Sequence, residues 1–185
     1  AKVHSAVDGK VIKRAFAFLK QRQRADGSWQ QDTHLHAGNE NLGRGDLRTS
    51  CYIAWALQEG GLGQEDVAIR AMKYIEGKLP GEKDLYTVGM CANALARADR
   101  QTAVLDRALE QIIEAVTVEG DFAYWTMEGQ TLVNSGGKAG QVEASALMAL
   151  ALIHAGQHQQ VIASVVNWLA STKDPQGNWG YNTQA

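Results

Sequence analysis

The chain has 185 residues, of which 45% are apolar and 21% are charged, a composition typical of one domain with an apolar core. Its 18 basic and 20 acidic residues give a formal net charge of −2, which excludes a general electrostatic attraction to nucleic acid or to an anionic membrane. No apolar run reaches the length of about 18 residues that a membrane-spanning helix needs.

Apolar residues recur with helical spacing along most of the chain, and this predicts an all-α domain. Seven helices are expected: around 11–19, from 46 to 60, about 65–78, from 84 through 95, around 103–113, about 142–155 and about 159–171. Asp8, Asp46 and Asp84 are the expected N-caps of the first, second and fourth helices. The pattern breaks between 118 and 140, where aromatic residues indicate a packed loop or a short hairpin.

One segment of the chain occurs twice. The first copy, with Gln23, Gly27 and Trp29, follows a helix that carries an aromatic-Leu pair. The second copy lies 150 residues later and has Lys173, Gly177 and Trp179 at the same positions. We therefore interpret the three tryptophans Trp29, Trp125 and Trp179 as anchors between loops and helices.

A second repeated unit reads Asp-Leu-x-Thr followed by small residues. It occurs at 46–49 and, 38 residues later, at 84–87, and the helix near 142–155 matches it more loosely at an offset of 95. Small side chains allow close helix packing, so these helices are expected to form an inner layer. Alternation with longer, more charged outer helices predicts stacked αα-hairpins.

Cys51 and Cys91 are too few for a disulfide scaffold. Both lie in apolar helical stretches, so we interpret them as two buried thiols that act as small apolar side chains. Neither cysteine has the spacing of a zinc site.

Five blocks of the sequence carry a resemblance to known proteins. The Gln-x-x-x-Gly-x-Trp element of residues 23–29 is similar to a repeat of the α/α-toroid superfamily, which includes triterpene cyclases, protein prenyltransferase β-subunits and the thioester-containing domains of α2-macroglobulins and complement components. Four further blocks resemble the thioester domains in order and approximate spacing, at residues 46–57, 84–98, 142–150 and 168–184. The chain therefore resembles the later part of a thioester-containing domain.

The resemblance implies that residues 1–185 are a single, partial α/α-toroid domain of a larger secreted or periplasmic protein. The family's thioester motif, Gly-Cys-Gly-Glu-Gln, is absent from this chain. A closed toroid holds about twelve helices, whereas seven are predicted here. The cut faces are therefore expected to expose apolar area and to favour self-association.

The family also suggests a role for a histidine. Its thioester stays hidden until proteolysis, then acylates an amine or a hydroxyl. In some complement relatives, a histidine in the loop after the Gly-x-aromatic element takes up the acyl group first, which requires a neutral imidazole. His36 is the closest positional match, and His34 is the alternative. Two exposed loop histidines without a catalytic role, or a metal pair, are the other interpretations.

The resemblance implies part of a protease trap, with the rest of the parent chain and proteases or target surfaces as partners. The alternative is a toroid without thioester that acts as a protein-interaction module. A cyclase would need an aspartate-rich motif, and a prenyltransferase would need Asp, Cys and His ligands for zinc. The sequence carries neither pattern, so we expect a non-enzymatic domain with no cofactor, no metal and no nucleic-acid partner.

Overall fold

A computed structural model describes residues 8–31, 45–133 and 135–179 of the chain. Its α-helices are α1 (Gly9–Arg22), α2 (Gly45–Glu59), α3 (Asp66–Lys78), α4 (Leu85–Arg97), α5 (Ala103–Glu114), α6 (Gly137–Ala155) and α7 (Gln159–Ser171). Strands β1 (Thr117–Glu119) and β2 (Phe122–Tyr124) form an antiparallel hairpin between α5 and α6. The all-α, toroid-like class is confirmed, and the aromatic stretch after α5 forms a short hairpin.

Two of the three predicted N-caps are confirmed. The Asp8 carboxylate accepts a hydrogen bond from the backbone N–H of Lys10, and the Asp84 carboxylate accepts one from that of Thr87. The N-cap assigned to Asp46 is wrong, because α2 begins at Gly45 and Asp46 lies inside its first turn.

The sixth helix begins earlier than its glycine-rich sequence predicts. It starts at Gly137, five residues before the expected position, and runs through Gly140. An added Cβ at Gly140 would lie 2.9 Å from the carbonyl oxygen of Ser135. Glycine at this position therefore serves the close approach of the preceding loop to the helix, and the helix continues through it.

The inner layer consists of α2, α4 and α6, with α4 between the other two. Every residue of α4 from Tyr86 to Leu95 is buried. The outer helices α3, α5 and α7 pack against α2, α4 and α6 respectively. The buried Asn93 amide donates hydrogen bonds to the carbonyls of Gly89 and Leu147, and so ties α4 to α6. This arrangement is the predicted stack of αα-hairpins.

The two cysteines are not free thiols. A disulfide joins Cys51 on α2 to Cys91 on α4, and both side chains are fully buried. The predicted burial is confirmed, but the thiol interpretation is wrong. The reason is that α2 and α4 are adjacent in the inner layer, which brings residues 40 positions apart within bonding distance.

Several large apolar side chains are exposed on α1, α2, α6 and α7: Val11, Phe18, Tyr52, Leu150, Ile153 and Val166. Within the described ranges, none of the helices combines the length and the apolar character that crossing a bilayer requires.

Candidate functional site

The Gln-x-x-x-Gly-x-Trp element connects the end of α1 to its own loop and to α3 by hydrogen bonds. The Gln23 amide donates to the carbonyls of Gly27 and Val67, and its oxygen accepts from Arg70 at 2.6 Å. Gly27 has a φ of +92°, and an added Cβ would lie 2.4 Å from the backbone oxygen of Arg70. The motif therefore needs glutamine to join the end of α1 to α3, and glycine to let the loop pass close to α3.

The three tryptophans are anchors, as the sequence predicts. Each indole N–H donates to a backbone carbonyl near the carboxyl-terminal end of a helix, α1, α5 or α7: Trp29 to Leu19 at 2.8 Å, Trp125 to Ile112 at 2.7 Å and Trp179 to Leu169 at 2.6 Å. Helix ends leave carbonyls without intrahelical partners, and the indoles satisfy one of them at each site. Trp29 and Trp179, which lie 150 residues apart at equivalent positions of the repeat, thus make equivalent hydrogen bonds.

The same loops are also tied to the inner helices. The backbone N–H of Trp29 donates to the hydroxyl of Ser50 on α2, and that of Trp125 donates to the hydroxyl of Ser145 on α6. All four residues are buried. The loops that carry Trp29 and Trp125 therefore fix α2 and α6 relative to the ends of α1 and α5.

The predicted histidines, His34 and His36, lie outside the described residues. The structure does describe both sides of their segment, residues 32–44. The Asp46 carboxylate accepts a hydrogen bond from the backbone N–H of Gln31 at 3.0 Å and pairs with Arg24 at 2.5 Å. Asp46 therefore joins the chain that precedes this segment to the helix that follows it.

A half-buried polar network lies at the amino-terminal ends of the inner helices. Arg48 on α2 pairs with Asp84 at 2.7 Å and donates to the Thr87 hydroxyl and to the backbone oxygen of Gln130. Its guanidinium lies 4.9 Å from the centre of the Tyr86 ring. The side chains of Arg48 and Asp84 are only 15% and 9% exposed, so the pair is largely screened from water.

The electrostatics of this network follow from burial and its partners. Burial alone would raise the pKa of Asp84, but hydrogen bonds from Thr87 and the charge of Arg48 outweigh it, and the pKa lies below its ordinary value. The Tyr86 hydroxyl donates to Glu143 on α6 at 2.7 Å. Burial, and then this hydrogen bond, raise the pKa of Tyr86 above its ordinary value. The network therefore carries fixed charges that link all three inner helices.

Glu143 joins the polar network from α6. Because α6 begins at Gly137, Glu143 lies in its second turn and not at the helix start. Its described partner is the hydroxyl of Tyr86, and that hydroxyl also accepts from the backbone N–H of Leu132. Glu143 thus helps to hold the loop before α6 on α4.

A cleft of about 440 Å³ opens beside the network. The segment 81–86 forms one wall and the segment 126–128 forms the other. The Glu82 carboxylate accepts hydrogen bonds from the backbone N–H groups of Lys83 and Asp84. Both acidic side chains of the 81–86 wall, Glu82 and Asp84, thus accept hydrogen bonds from backbone N–H groups at or just before the start of α4.

A second polar cluster lies at the carboxyl-terminal ends of the inner helices. Arg97 on α4 pairs with Glu59 on α2 at 2.6 Å. His154 on α6 lies 3.0 Å from the Asn93 amide oxygen and meets the ring of Trp55 edge to face. Because both Asn93 amide protons go to carbonyls, we assign the shared hydrogen to Nδ1 of His154. Burial, and then the nearby Arg97, lower the pKa of His154.

The sequence predicts neither of these two polar clusters. The repeated Asp-Leu-x-Thr unit contains Asp84 and Thr87, but Arg48 joins them only because α2 and α4 are adjacent. In the part of the chain that is described, no three His, Cys, Asp or Glu side chains are placed to hold a metal ion.

The comparisons with known proteins agree with this architecture. A family model described as "A-macroglobulin TED domain" matches residues 1–184. A search of curated proteins finds no match. Because the family match covers almost the whole chain, this chain belongs to the α-macroglobulin TED (thioester-containing) domain family.

Proposed function

We propose that this chain is part of the thioester domain of an α2-macroglobulin-like protease trap, and that it protects the organism from proteases. The family match over residues 1–184 is the observation that carries the proposal. Proteolytic cleavage of the parent protein triggers a conformational change, and the protease or its surface is then captured. The partners of the domain are the rest of the parent chain and the captured target.

The disulfide supports export of the parent protein. Disulfides persist in oxidising compartments and are rare in the reducing cytosol. The bond between Cys51 and Cys91 is fully buried in the inner layer, so it is part of the folded core. The disulfide therefore supports our proposal that the parent protein is secreted or periplasmic.

The disulfide also restricts the source of a thioester. Both cysteines of this chain are bonded to each other, so neither supplies a thiol for a Cys–Gln thioester. In the proposed trap the thioester cysteine belongs to another part of the parent chain.

His36 is the proposed acyl-transfer residue, with His34 as the alternative. Its neutral imidazole attacks the thioester carbonyl, the C–S bond breaks, and the thiolate leaves. A hydroxyl of the target then attacks the acyl-imidazole, its proton goes to the thiolate, the C–N bond breaks, and the ester and the free imidazole result. The hydrogen bond and ion pair of Asp46 support this role, because they hold the two sides of segment 32–44 together.

Acceptor preference in the full-length protein tests the histidine. His36→Ala should lower transfer to a labelled glycerol hydroxyl by about 100-fold or more, while direct reaction with methylamine persists. His34→Ala is the matched control and should retain both reactions. If only His34→Ala loses acyl transfer to glycerol, the acyl-transfer residue is His34. If both variants keep that transfer, neither histidine has the role.

Protease capture tests the trap itself. The full-length protein should block cleavage of a large protein substrate by a bound protease but leave a small peptide substrate accessible, since capture encloses the protease without filling its active site. Equal inhibition of both substrates, or of neither, would contradict the proposal.

A thioester-free interaction module is the second candidate. The exposed apolar side chains of α1, α2, α6 and α7 support it, because they are available for contact with a partner protein. A cyclase-like or prenyltransferase-like enzyme is a weaker alternative on the same fold. Reaction of the full-length protein with methylamine separates the trap from both of these.

A further inference from the structure

Helix α1 carries an unusual charge for a chain with a net charge of −2. Its 14 residues include five cations and no acid: Lys10, Lys13, Arg14, Lys20 and Arg22. None of its residues is fully buried. Among the described residues, none of these five cations forms an ion pair. The helix therefore presents a strongly basic surface to solvent.

The helix also has two apolar faces, of which the core covers only one. Phe16 and Leu19 pack against the core. Val11 and Phe18 lie on average about 120° around the helix from them and are 45% and 55% exposed. The Arg22 guanidinium lies 5.1 Å from the centre of the Phe18 ring. Lys10 and Arg14 border this second face on its other side, given the helical spacing. We call Lys10, Val11, Arg14 and Phe18 the basic face.

The complementary surface occurs in the same chain. Between Arg107 and Lys138 the sequence has no cation but five acids: Glu110, Glu114, Glu119, Asp121 and Glu128. The β-hairpin lies within this stretch, and Val118 and Phe122 on it are 62% and 39% exposed. Glu119 and Phe122 are paired across the hairpin and lie on the same side of it, whereas Val118, paired with Ala123, lies on the other side. We call Glu119, Asp121 and Phe122 the hairpin face. It combines negative charge with an exposed apolar ring, as a partner of the basic face requires.

The two faces belong to different parts of the molecule. The carboxyl-terminal end of α1 is tied to α3 by the bonds of Gln23 to Val67 and Arg70. The hairpin packs against α7, where the rings of Tyr124 and Trp168 stack at 5.1 Å. A contact between the two faces is therefore expected between molecules and not within one molecule.

We propose that the basic face of one molecule docks on the hairpin face of a second copy of this chain. Opposite charges steer the two copies together, and the apolar side chains of the two faces are buried against each other. Because the two faces differ, the contact is head-to-tail and extends to further copies unless it closes into a ring. This proposal is independent of the thioester chemistry.

Sedimentation velocity of the 185-residue chain, over a hundredfold range of concentration, tests the proposal. The chain should self-associate at low salt and dissociate at about 0.5 M salt, because salt screens exposed charges. Two charge-reversed variants, Lys10→Glu/Arg14→Glu and Glu119→Lys/Asp121→Lys, should each be monomeric. Mixing them should restore association, since each variant then meets a face of opposite charge.

The control is Lys73→Glu/Lys78→Glu, which reverses two exposed cations on α3 and should leave association unchanged. Circular dichroism checks that all variants fold. A wild-type chain that is monomeric at every concentration would overturn the proposal. So would association that survives either charge reversal. Binding of the wild-type chain to vesicles of anionic lipid, without self-association, would assign the basic face to a membrane surface and would also overturn it.

Discussion

Cys51 on α2 and Cys91 on α4 are bonded across the inner layer, with their Cα atoms 4.8 Å apart. The bond closes a loop of 40 residues that contains the whole of α3. The disulfide therefore links α2 to α4, the two helices that the Arg48–Asp84 pair also joins. It restricts the conformations of the unfolded chain as well as those of the folded one.

Loss of this bond should lower stability. In the chain-entropy account, closing a loop of 40 residues stabilises the folded state by about 4 kcal/mol. Cys51→Ala/Cys91→Ala should therefore lower the free energy of unfolding in urea by about that amount. A native protein with two titratable thiols, or an unchanged urea midpoint after substitution, would contradict the structure.

The internal repeat predicts a site for a second disulfide. Gly89 lies 38 residues after Cys51, and Met148 lies 57 residues after Cys91, which are the offsets between successive inner helices. An added Cβ at Gly89 would lie 2.5 Å from the Met148 sulfur. Gly89→Cys/Met148→Cys should therefore oxidise to a disulfide between α4 and α6, detected by peptide mapping.

The two single variants are the controls for this design. Gly89→Cys alone should destabilise the protein by about 1–3 kcal/mol, because the new side chain overpacks the contact with Met148. If the double variant keeps two free thiols under oxidising conditions, α4 and α6 do not pack in the same register as α2 and α4.

The two arginine–carboxylate pairs of the inner helices should differ in strength. Arg48→Ala removes a charged partner of Asp84, whose side chain is 9% exposed, and should cost about 3 kcal/mol. Arg97→Ala removes a pair whose members are 43% and 47% exposed, and should cost less than about 1 kcal/mol. Urea unfolding of both variants measures the difference. Equal losses would mean that the Arg48 network is not screened from water.

Gly27 and Gly177 occupy equivalent positions in the repeat but should tolerate alanine differently. Both have positive φ angles, +92° and +86°, so alanine strains the backbone at each, by about 1 kcal/mol. Only at Gly27 does the new Cβ also meet backbone, at 2.4 Å from the Arg70 oxygen. Gly27→Ala should therefore lose about 1–3 kcal/mol more than Gly177→Ala in thermal or urea unfolding. An equal loss would contradict the close approach of this loop to α3.

His154 should make stability depend on pH. The pKa of His154 in the folded state lies below its ordinary value, chiefly because of burial. The unfolded chain therefore binds the proton more readily than the folded one. The stability that the buried neutral imidazole contributes is complete above about pH 6.5, the ordinary pKa of histidine, and is lost as the pH falls through the lower pKa of the folded state. Glu59 on α2 opposes the shift, and Arg97 on α4 adds to it.

The free energy of unfolding, measured from pH 7.5 to 5, tests this dependence. His154→Gln should flatten the part of the profile that falls below pH 6.5. His158→Asn is the control, because His158 is exposed and its positive φ of 56° suits asparagine. A His154→Gln profile parallel to that of the unmodified chain would assign the dependence to other groups.

Local patterns in the sequence predict most of the fold. The apolar periodicity predicts all seven described helices, and the carboxylates of Asp8 and Asp84 mark two of their starts. The glycine-rich run before α6 is misleading, because Gly140 serves a close contact and does not end the helix. A residue type alone does not distinguish these two uses of glycine.

The candidate site is harder to predict because its contacts cross the fold. Trp29 and Trp179 are recognisable from the repeat, and their bonds follow from it. The disulfide and the Arg48 network depend on which inner helices are neighbours. That information lies in tertiary packing, where residues 36 to 40 positions apart meet.

Intact mass of the full-length protein, before and after methylamine, tests the central claim most directly. Cleavage of a thioester by methylamine adds the mass of one methylamine and releases one thiol. Because Cys51 and Cys91 stay bonded, that thiol is attributable to the thioester cysteine elsewhere in the parent chain. The proposed trap predicts both the mass gain and the new thiol. An unchanged mass with no new thiol would contradict it and leave the interaction module as the function of this domain.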